Sequence, residues 1–516
     1  MSDFPYNFNR TDYIFSIKLL NGTHEVELKP GVWDYLTLHE DIFRWWTVGS
    51  IEINSSNESL ERGSDYFGVV GIDEKQVNYK FRNDGRDTIF IKIRPKDENL
   101  SISDASFDEK RWHIELDCVI YQVEDLAHSS LGDKRKKLFF HEKTYQLMLE
   151  KNTTFSTSTV GENAKKEKIY KLTNEERSLP SGEAIKELLK NDPDFSKHAE
   201  NTDNTELWDL GSKDNKIFYN SPSNYKFIDD LYYLLENHIS SEENNYMPCL
   251  LKFERNGENK PKQFSLISFK KLFEKAGKSV PGEYQLEHIF LEENSENHNK
   301  DQILIKKAPL NKDSSVNGEL KATHFTDAPR YQLIDMSGMD YSTKLFNRNV
   351  VAYNSKDGQW NIEMEENKAE KFKDFFKNAI SQNVMTNLKE DRLPITRFLK
   401  DGYNTEDVYS IHPSDKLRLA DGRNAIIKNY LFQNLAISLD LRGLTQRQPG
   451  RFFGLSKSTE NTQEHDNKLE GQYLTVNVIH LFSTSSHSYS NKIIGIKTHT
   501  YQEKFALVDD DVITTS

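Results

Sequence analysis

Apolar and polar residues alternate at both ends of this chain, and that alternation constrains its fold more than any other feature. Phe15, Ile17 and Leu19 are separated by Ser16 and Lys18, and after Asn21-Gly22 the pattern resumes at Val26 and Leu28. A period of two places every second side chain on one face, the pattern of a half-buried strand, and Asn-Gly supplies the positive-φ pair of a tight hairpin. Near the other end, Leu435, Ile437, Leu439 and Leu441 alternate with Ala436, Ser438, Asp440 and Arg442. Short apolar stretches at 51–53, 67–72, 89–93 and 112–123, separated by turn clusters such as Asn83-Asp84-Gly85, predict a barrel or sandwich over residues 1–125. Residues 472–481 and 492–500 predict two more strands, in a second β unit over 411–516.

Between these ends the pattern changes. The spacing of Leu138, Tyr145, Met148 and Leu149 predicts a helix over 138–150, and Phe227, Ile228, Leu231, Leu234 and Leu235 predict one over 225–238. Shorter helices are expected at 182–190 and at 266–276, the latter stopping at Gly277, and an amphipathic one at 367–383. Residues 39–49 (HEDIFRWWTVG) interrupt the β rhythm as one helical turn or a loop carrying two tryptophans. The stretch 151–223, rich in Asn, Ser, Thr, Lys and Glu, reads as a polar insertion within a mixed helical region at 126–283. A mixed β/helix region follows at 284–410, with strands expected at 284–291, 302–305 and 331–334.

Composition narrows the functional classes. At roughly 150 residues per domain, 516 residues make about three or four units. Only 36% of residues are apolar, yet the chain holds 30 Phe, 23 Tyr and 6 Trp, an aromatic content that disordered chains lack. The net charge of -13 opposes a general nucleic-acid coat, because phosphate binding needs a basic footprint. Two cysteines, Cys118 and Cys249, exclude a disulfide scaffold and predict no Cys-based zinc site; both sit in strand-like sequence. The start, MSDFPYNFNR, lacks the basic and apolar segments of a secretory signal, and no apolar run reaches membrane-spanning length. The expectation is a soluble protein made in a reducing compartment.

Motifs for catalysis fail on spacing. Gly450 and Gly454 are followed by Lys457, whereas a phosphate loop needs lysine directly after its second glycine. Asp313 to Gly318 begins like a calcium loop, but the twelfth position is His324 instead of a bidentate glutamate. His288 and His298 lie ten residues apart, not one helical turn, and Glu464-His465-Asp466 reads as a solvated loop. No nucleophile elbow occurs, and no carboxylate pair stands out for sugar hydrolysis. No catalytic, cofactor-binding or metal residue is therefore assigned. One charge asymmetry remains: residues 412–458 carry eight basic residues, among them Arg442, Arg447 and Arg451, against three acids. These arginines are candidate docking charges for an acidic partner, or basic side chains that keep strand edges apart.

The order of motifs at the two ends carries a resemblance. NLAISLDLRG (434–443) leads to Arg447-Gln448-Pro449-Gly450, an apolar strand RFFGL, a polar loop, then Leu469-Glu-Gly471-Gln-Tyr473 running to His480, and finally Tyr489-Ser-Asn-Lys-Ile. At the amino end, Glu40-Asp-Ile-Phe43 precedes Gly49-Ser-Ile-Glu-Ile53. This arrangement resembles the baseplate central hub proteins of contractile-tailed bacteriophages, whose relatives include the hub part of type VI secretion spikes. The resemblance covers about 120 residues. It implies an α+β, β-dominated chain with tail-tube-like barrels and a helical, loop-rich middle. It further implies a homotrimeric ring joining the tail tube protein to the central spike protein, bordered by baseplate wedge proteins. Such a hub works in the virion tail after synthesis in the bacterial cytoplasm, and its channel passes DNA without specific binding. On this reading the protein is structural and needs no cofactor, metal or membrane. Gly443, Pro449, Gly450 and Gly471 shape barrel turns, and Tyr473 and His480 lie on a barrel strand. A peptidoglycan-degrading tail enzyme and a host-binding tail protein are the alternatives.

Overall fold

The computed structural model describes residues 5–54, 67–95, 114–126, 135–272 and 436–500, each with short gaps, and the strands 285–293, 301–306, 330–334, 350–354 and 359–363. The predicted helix at 367–383 and the motifs around His298, 313–324 and 464–466 lie outside these residues.

A 15-stranded sheet organises the chain. Its amino-terminal strands are β1 (Thr11–Leu20), β2 (Trp33–Asp41), β3 (Arg44–Asn54), β4 (Thr88–Pro95), β5 (Ile114–Leu126) and β6 (Arg135–Glu142). They lie in the order β1-β4-β5-β6-β3-β2, every neighbour antiparallel. The alternation read at Phe15, Ile17 and Leu19 is the buried face of β1, and the predicted hairpin pairs Leu19 with Val26. Ile51, Ile53, Ile89, Ile91, Ile93, Leu138 and Phe140 point into the same core. The sheet curls round that core far enough for Phe15 of β1 to meet Trp33 of β2 at 5.4 Å, across the fold from its own neighbours.

Three helices follow: α1 (Lys143–Glu150), α2 (Ser181–Lys190) and α3 (Phe227–Glu236). With the hairpin of β7 (Cys249–Glu254) and β8 (Gln263–Ser268), they enclose a second core. Two segments differ from the helices that the sequence predicts. Residues 138–142 are strand, because β6 is hydrogen-bonded on both edges, to β3 and β5, and the helix starts only at Lys143. Residues 266–268 finish β8, leaving only 271–272 helical among the described residues there. The 151–223 stretch is a packed unit despite its polarity: Ile185, Leu189, Phe195, Trp208 and Ile217 are fully or almost fully buried. Its polar residues cover a core of mixed aliphatic and aromatic side chains.

The remaining described strands include β9 (Gln285–Glu293), β10 (Asp301–Lys306), β11 (Arg330–Ile334), β12 (Ala436–Arg442), β13 (Phe452–Ser458), β14 (Gly471–Ser483) and β15 (Ser488–Thr500). β14 is the pivot. One edge pairs with β15 along its length; the other edge is shared, with 471–474 on β13 and 477–483 on β2. Through β2 and β14 the first and last parts of the chain form one continuous sheet. Phe482 and Tyr489 enter the amino-terminal core from the carboxy-terminal side.

Candidate functional site

The residues singled out in the carboxy-terminal motifs converge where β14 passes from β13 to β2. Two backbone bonds mark the hand-over: Gly450 N–H donates to Thr475 O (2.8 Å), and Thr475 N–H to Arg451 O (2.8 Å). One residue further, Ile42 N–H donates to Val476 O (2.8 Å). Gly450 has φ +80, and a Cβ there would lie 2.6 Å from Cε of Lys252. The left-handed backbone favours glycine at this corner, and a Cβ would also oblige the end of Lys252 to shift. Gly443 is needed for another reason: a Cβ would strike the Tyr489 ring at 2.2–2.4 Å. Pro449 lines the cleft beside it, Gly471 opens β14 opposite Leu455 and Thr500, and Tyr473 is buried and stacked on Phe453 at 5.3 Å.

His480 is fully buried, and its hydrogen bonds fix its tautomer. Asn491 Oδ1 accepts from Arg447 Nη1 (2.8 Å) and Leu444 N (2.7 Å), so its amide nitrogen is the group facing His480 Nδ1 at 2.9 Å. Nδ1 therefore accepts, with the Tyr489 hydroxyl also 2.8 Å away, and Nε2 carries the proton toward Glu40 Oε2 at 3.8 Å. Glu40 Oε1 accepts from Arg255 Nη2 at 2.6 Å, and Arg255 Nη1 donates to Thr445 O at 2.5 Å. Burial opposes ionisation of Glu40, but the Arg255 guanidinium and the His480 ring outweigh it and hold the carboxyl well below its usual range. Burial pushes the His480 imidazole down, so it stays neutral.

Two further buried pairs complete the junction. Glu142 accepts from Lys262 Nζ (2.5 Å) and Thr47 N (3.0 Å), and Glu254 lies against Lys252 and 3.8 Å from Arg451 Nη2. Glu142 ties β3 and β6 to the β7–β8 hairpin, and Glu254 ties that hairpin to Arg451 in the 443–451 turn. They surround a cleft lined by Asp41, Arg44, Trp46, Thr47 and Pro449. Trp45 extends from β3 into the second core, meeting Phe253 at 5.6 Å and Phe264 at 5.2 Å, while Trp46 stacks on Tyr145 at 3.7 Å. Residues 39–49 are thus strand ends meeting in a tight hairpin, neither a helical turn nor a loop; the tryptophans interrupt the alternation because β3 serves two cores.

Two of the three candidate docking charges lie inside the protein. Arg447 and Arg451 are only 2% and 4% exposed and are engaged by Asn491 and Glu254, so neither presents charge to a partner. Arg442 ends β12 opposite Ser490. Arg451 faces the Glu254 carboxylate, far away in sequence, and Arg447 faces the Asn491 amide oxygen. Sequence reading marked Glu40 only as part of the EDIF motif and missed Arg255; 215 residues separate them, and no local pattern pairs the two.

No protein-family model matches the sequence, and no curated protein matches it. Solved structures similar to it along nearly the whole chain are phage tail and type VI secretion proteins. The tail protein from Neisseria meningitidis MC58 has 7% identity and a TM-score of 0.43, covering 94% of this chain and 96% of its own. The 43 kDa tail protein of prophage MuSo2 from Shewanella oneidensis has 7% identity and a TM-score of 0.41, covering 93% and 98%. The E. coli c3393 protein, a component of the type VI secretion system, has 8% identity and a TM-score of 0.36, covering 93% and 76%. Among the described residues, no helix is long and apolar enough to cross a membrane.

Proposed function

We propose that this protein is a structural baseplate hub, assembling as a homotrimer that joins a tail tube to a central spike. The observation that carries the reading is the β2–β14 pairing, which binds an amino-terminal and a carboxy-terminal β unit edge to edge in one subunit. Three such subunits supply six β units, enough to continue a sixfold tube while keeping threefold symmetry toward a spike. The motif order at the two ends supports the same reading, since Glu40, Gly450 and His480 meet at this seam. On this reading the tube protein, spike and wedge proteins are partners, the virion tail is the location, and a subunit acidic overall lets DNA slide through the channel. The buried charges lock the subunit together and perform no chemistry.

Solution mass measurement with electron microscopy, alone and with the cognate spike, tests this. A ring of three copies with a central hole is expected. A monomer that stays monomeric with the spike, or one that hydrolyses cell wall, overturns it.

A further inference from the structure

Outside the junction, one cluster brings three different metal-ligating side chains together. Asp209 lies in the loop after α2, His238 just beyond α3, and Cys249 begins β7; their donor atoms all lie within 4.8 Å of one another. Asp209 and His238 are buried, Cys249 partly so. His238 Nε2 lies 3.9 Å from Asp209 Oδ1, and Cys249 Sγ 3.8 Å from Asp209 Oδ2. Tetrahedral zinc with bonds of about 2.0–2.3 Å sets its ligand atoms about 3.4–3.6 Å apart. Those two separations are therefore a few tenths of an ångström wider than in a loaded site, and the third, from His238 to Cys249, lies within 4.8 Å.

The surroundings fit a metal better than they fit catalysis. Ser181, His238 and Asp209 stand in the order of a hydrolytic triad, with Ser181 Oγ 2.8 Å from His238 Nδ1. Yet Ser181 is fully buried as the first residue of α2, beyond the reach of any substrate. That same contact does what a metal-bound histidine needs: it occupies Nδ1 and aims Nε2 at the other two donors. Asp209 is held as firmly. Its Oδ1 accepts from Gly211 N (2.7 Å) and Ser241 N (2.9 Å), and its Oδ2 from the Ser240 hydroxyl (2.6 Å). A carboxylate has about four acceptor positions, so three fixed bonds leave one, on Oδ2, the oxygen facing Cys249. A divalent ion bound by one carboxylate, one thiolate and one neutral imidazole also leaves the buried site without net charge.

We infer that Asp209, His238 and Cys249 form a zinc site with three protein ligands, tying the loop after α2 to the end of α3 and the start of β7. The mixed sulfur, nitrogen and oxygen set suits zinc over magnesium or calcium, which take oxygen. The inference is independent of the hub reading. It also revises the expectation of no metal, which weighed the two cysteines and locally spaced motifs; here a single thiolate joins ligands spread over 40 residues.

The test uses the full chain, stripped with chelator and titrated with Co²⁺ as a spectroscopic probe. One equivalent should bind, with a thiolate-to-cobalt charge-transfer band that Cys249→Ser abolishes. Zn²⁺ competition against a chromophoric chelator should show affinity falling about 100-fold in that variant. Partly exposed Cys249 tolerates serine, and circular dichroism checks that the variant folds. Failure of the unmodified chain to bind one equivalent overturns the site, whatever the variant does. So does a spectrum or zinc affinity left unchanged by Cys249→Ser.

Discussion

Replacing Arg255 with methionine removes the cation facing Glu40 and the donor to Thr445 O while keeping an apolar stem in place. Glu40 is 8% exposed, so solvent cannot replace the guanidinium. Breaking a buried pair from one side costs about 3–5 kcal/mol, and the lost bond to the carbonyl adds about 1 kcal/mol. Urea unfolding followed by tryptophan fluorescence reads the loss, since Trp45 lies in the same junction. Adding Glu40→Gln should restore at least about 2 kcal/mol, because the stranded charge is then gone. The pH dependence has a defined sign. In the parent, the depressed Glu40 carboxyl contributes stability above the unfolded value near 4.5 and loses it as pH falls through the folded value. In the variant the carboxyl becomes easier to protonate, so its penalty is greatest at neutral pH and fades on acidification. The gap between the two proteins should therefore narrow from pH 7 toward pH 4. A loss below about 1 kcal/mol, or a gap that does not change with pH, refutes the account of Glu40 as a charge held by Arg255.

Gly450→Ala should cost about 1–2 kcal/mol, from left-handed backbone and the approach of Lys252, measurable as a lower urea midpoint. His480→Leu should cost about 1–3 kcal/mol by stripping Tyr489 and Asn491 of their buried partner. Burial lowers the pKa of both His480 and His198, so the unfolded chain takes up protons first. Stability should fall as pH drops below about 6.5, before the carboxylates titrate, and His480→Leu should flatten that slope. Lys262→Met should destabilise by about 3–5 kcal/mol through Glu142, with the near-ultraviolet signal of Trp45 and Trp46 reporting the junction.

What the sequence revealed follows from the range of each interaction. Strands with one buried face leave a period-two trace, so β1, β12 and much of β14 are legible, as are the amphipathic helices α2 and α3. The trace fails where a strand serves two masters. β3 turns Trp45 toward the second core, and β6 is strand because its edges are paired, a fact held by β3 and β5. The motif residues Gly450 and His480 stand out locally, but their reason for being there lies in Lys252 and Glu40. Charge misleads most: Arg447 and Arg451 read as surface until Asn491 and Glu254 are brought to them. Asp209, His238 and Cys249 form no spaced motif for the same reason.

The β2–β14 seam has a consequence for synthesis. Asn477 reaches back 438 residues to His39, and at about 5–20 residues per second the ribosome needs roughly 20–90 s to supply it. Throughout that interval the amino-terminal unit waits with the edge of β2 uncovered, a template for any neighbouring nascent chain. Chains on one messenger emerge side by side with that edge bare, so the late-made β14 acts as a seal that determines which copies remain separate.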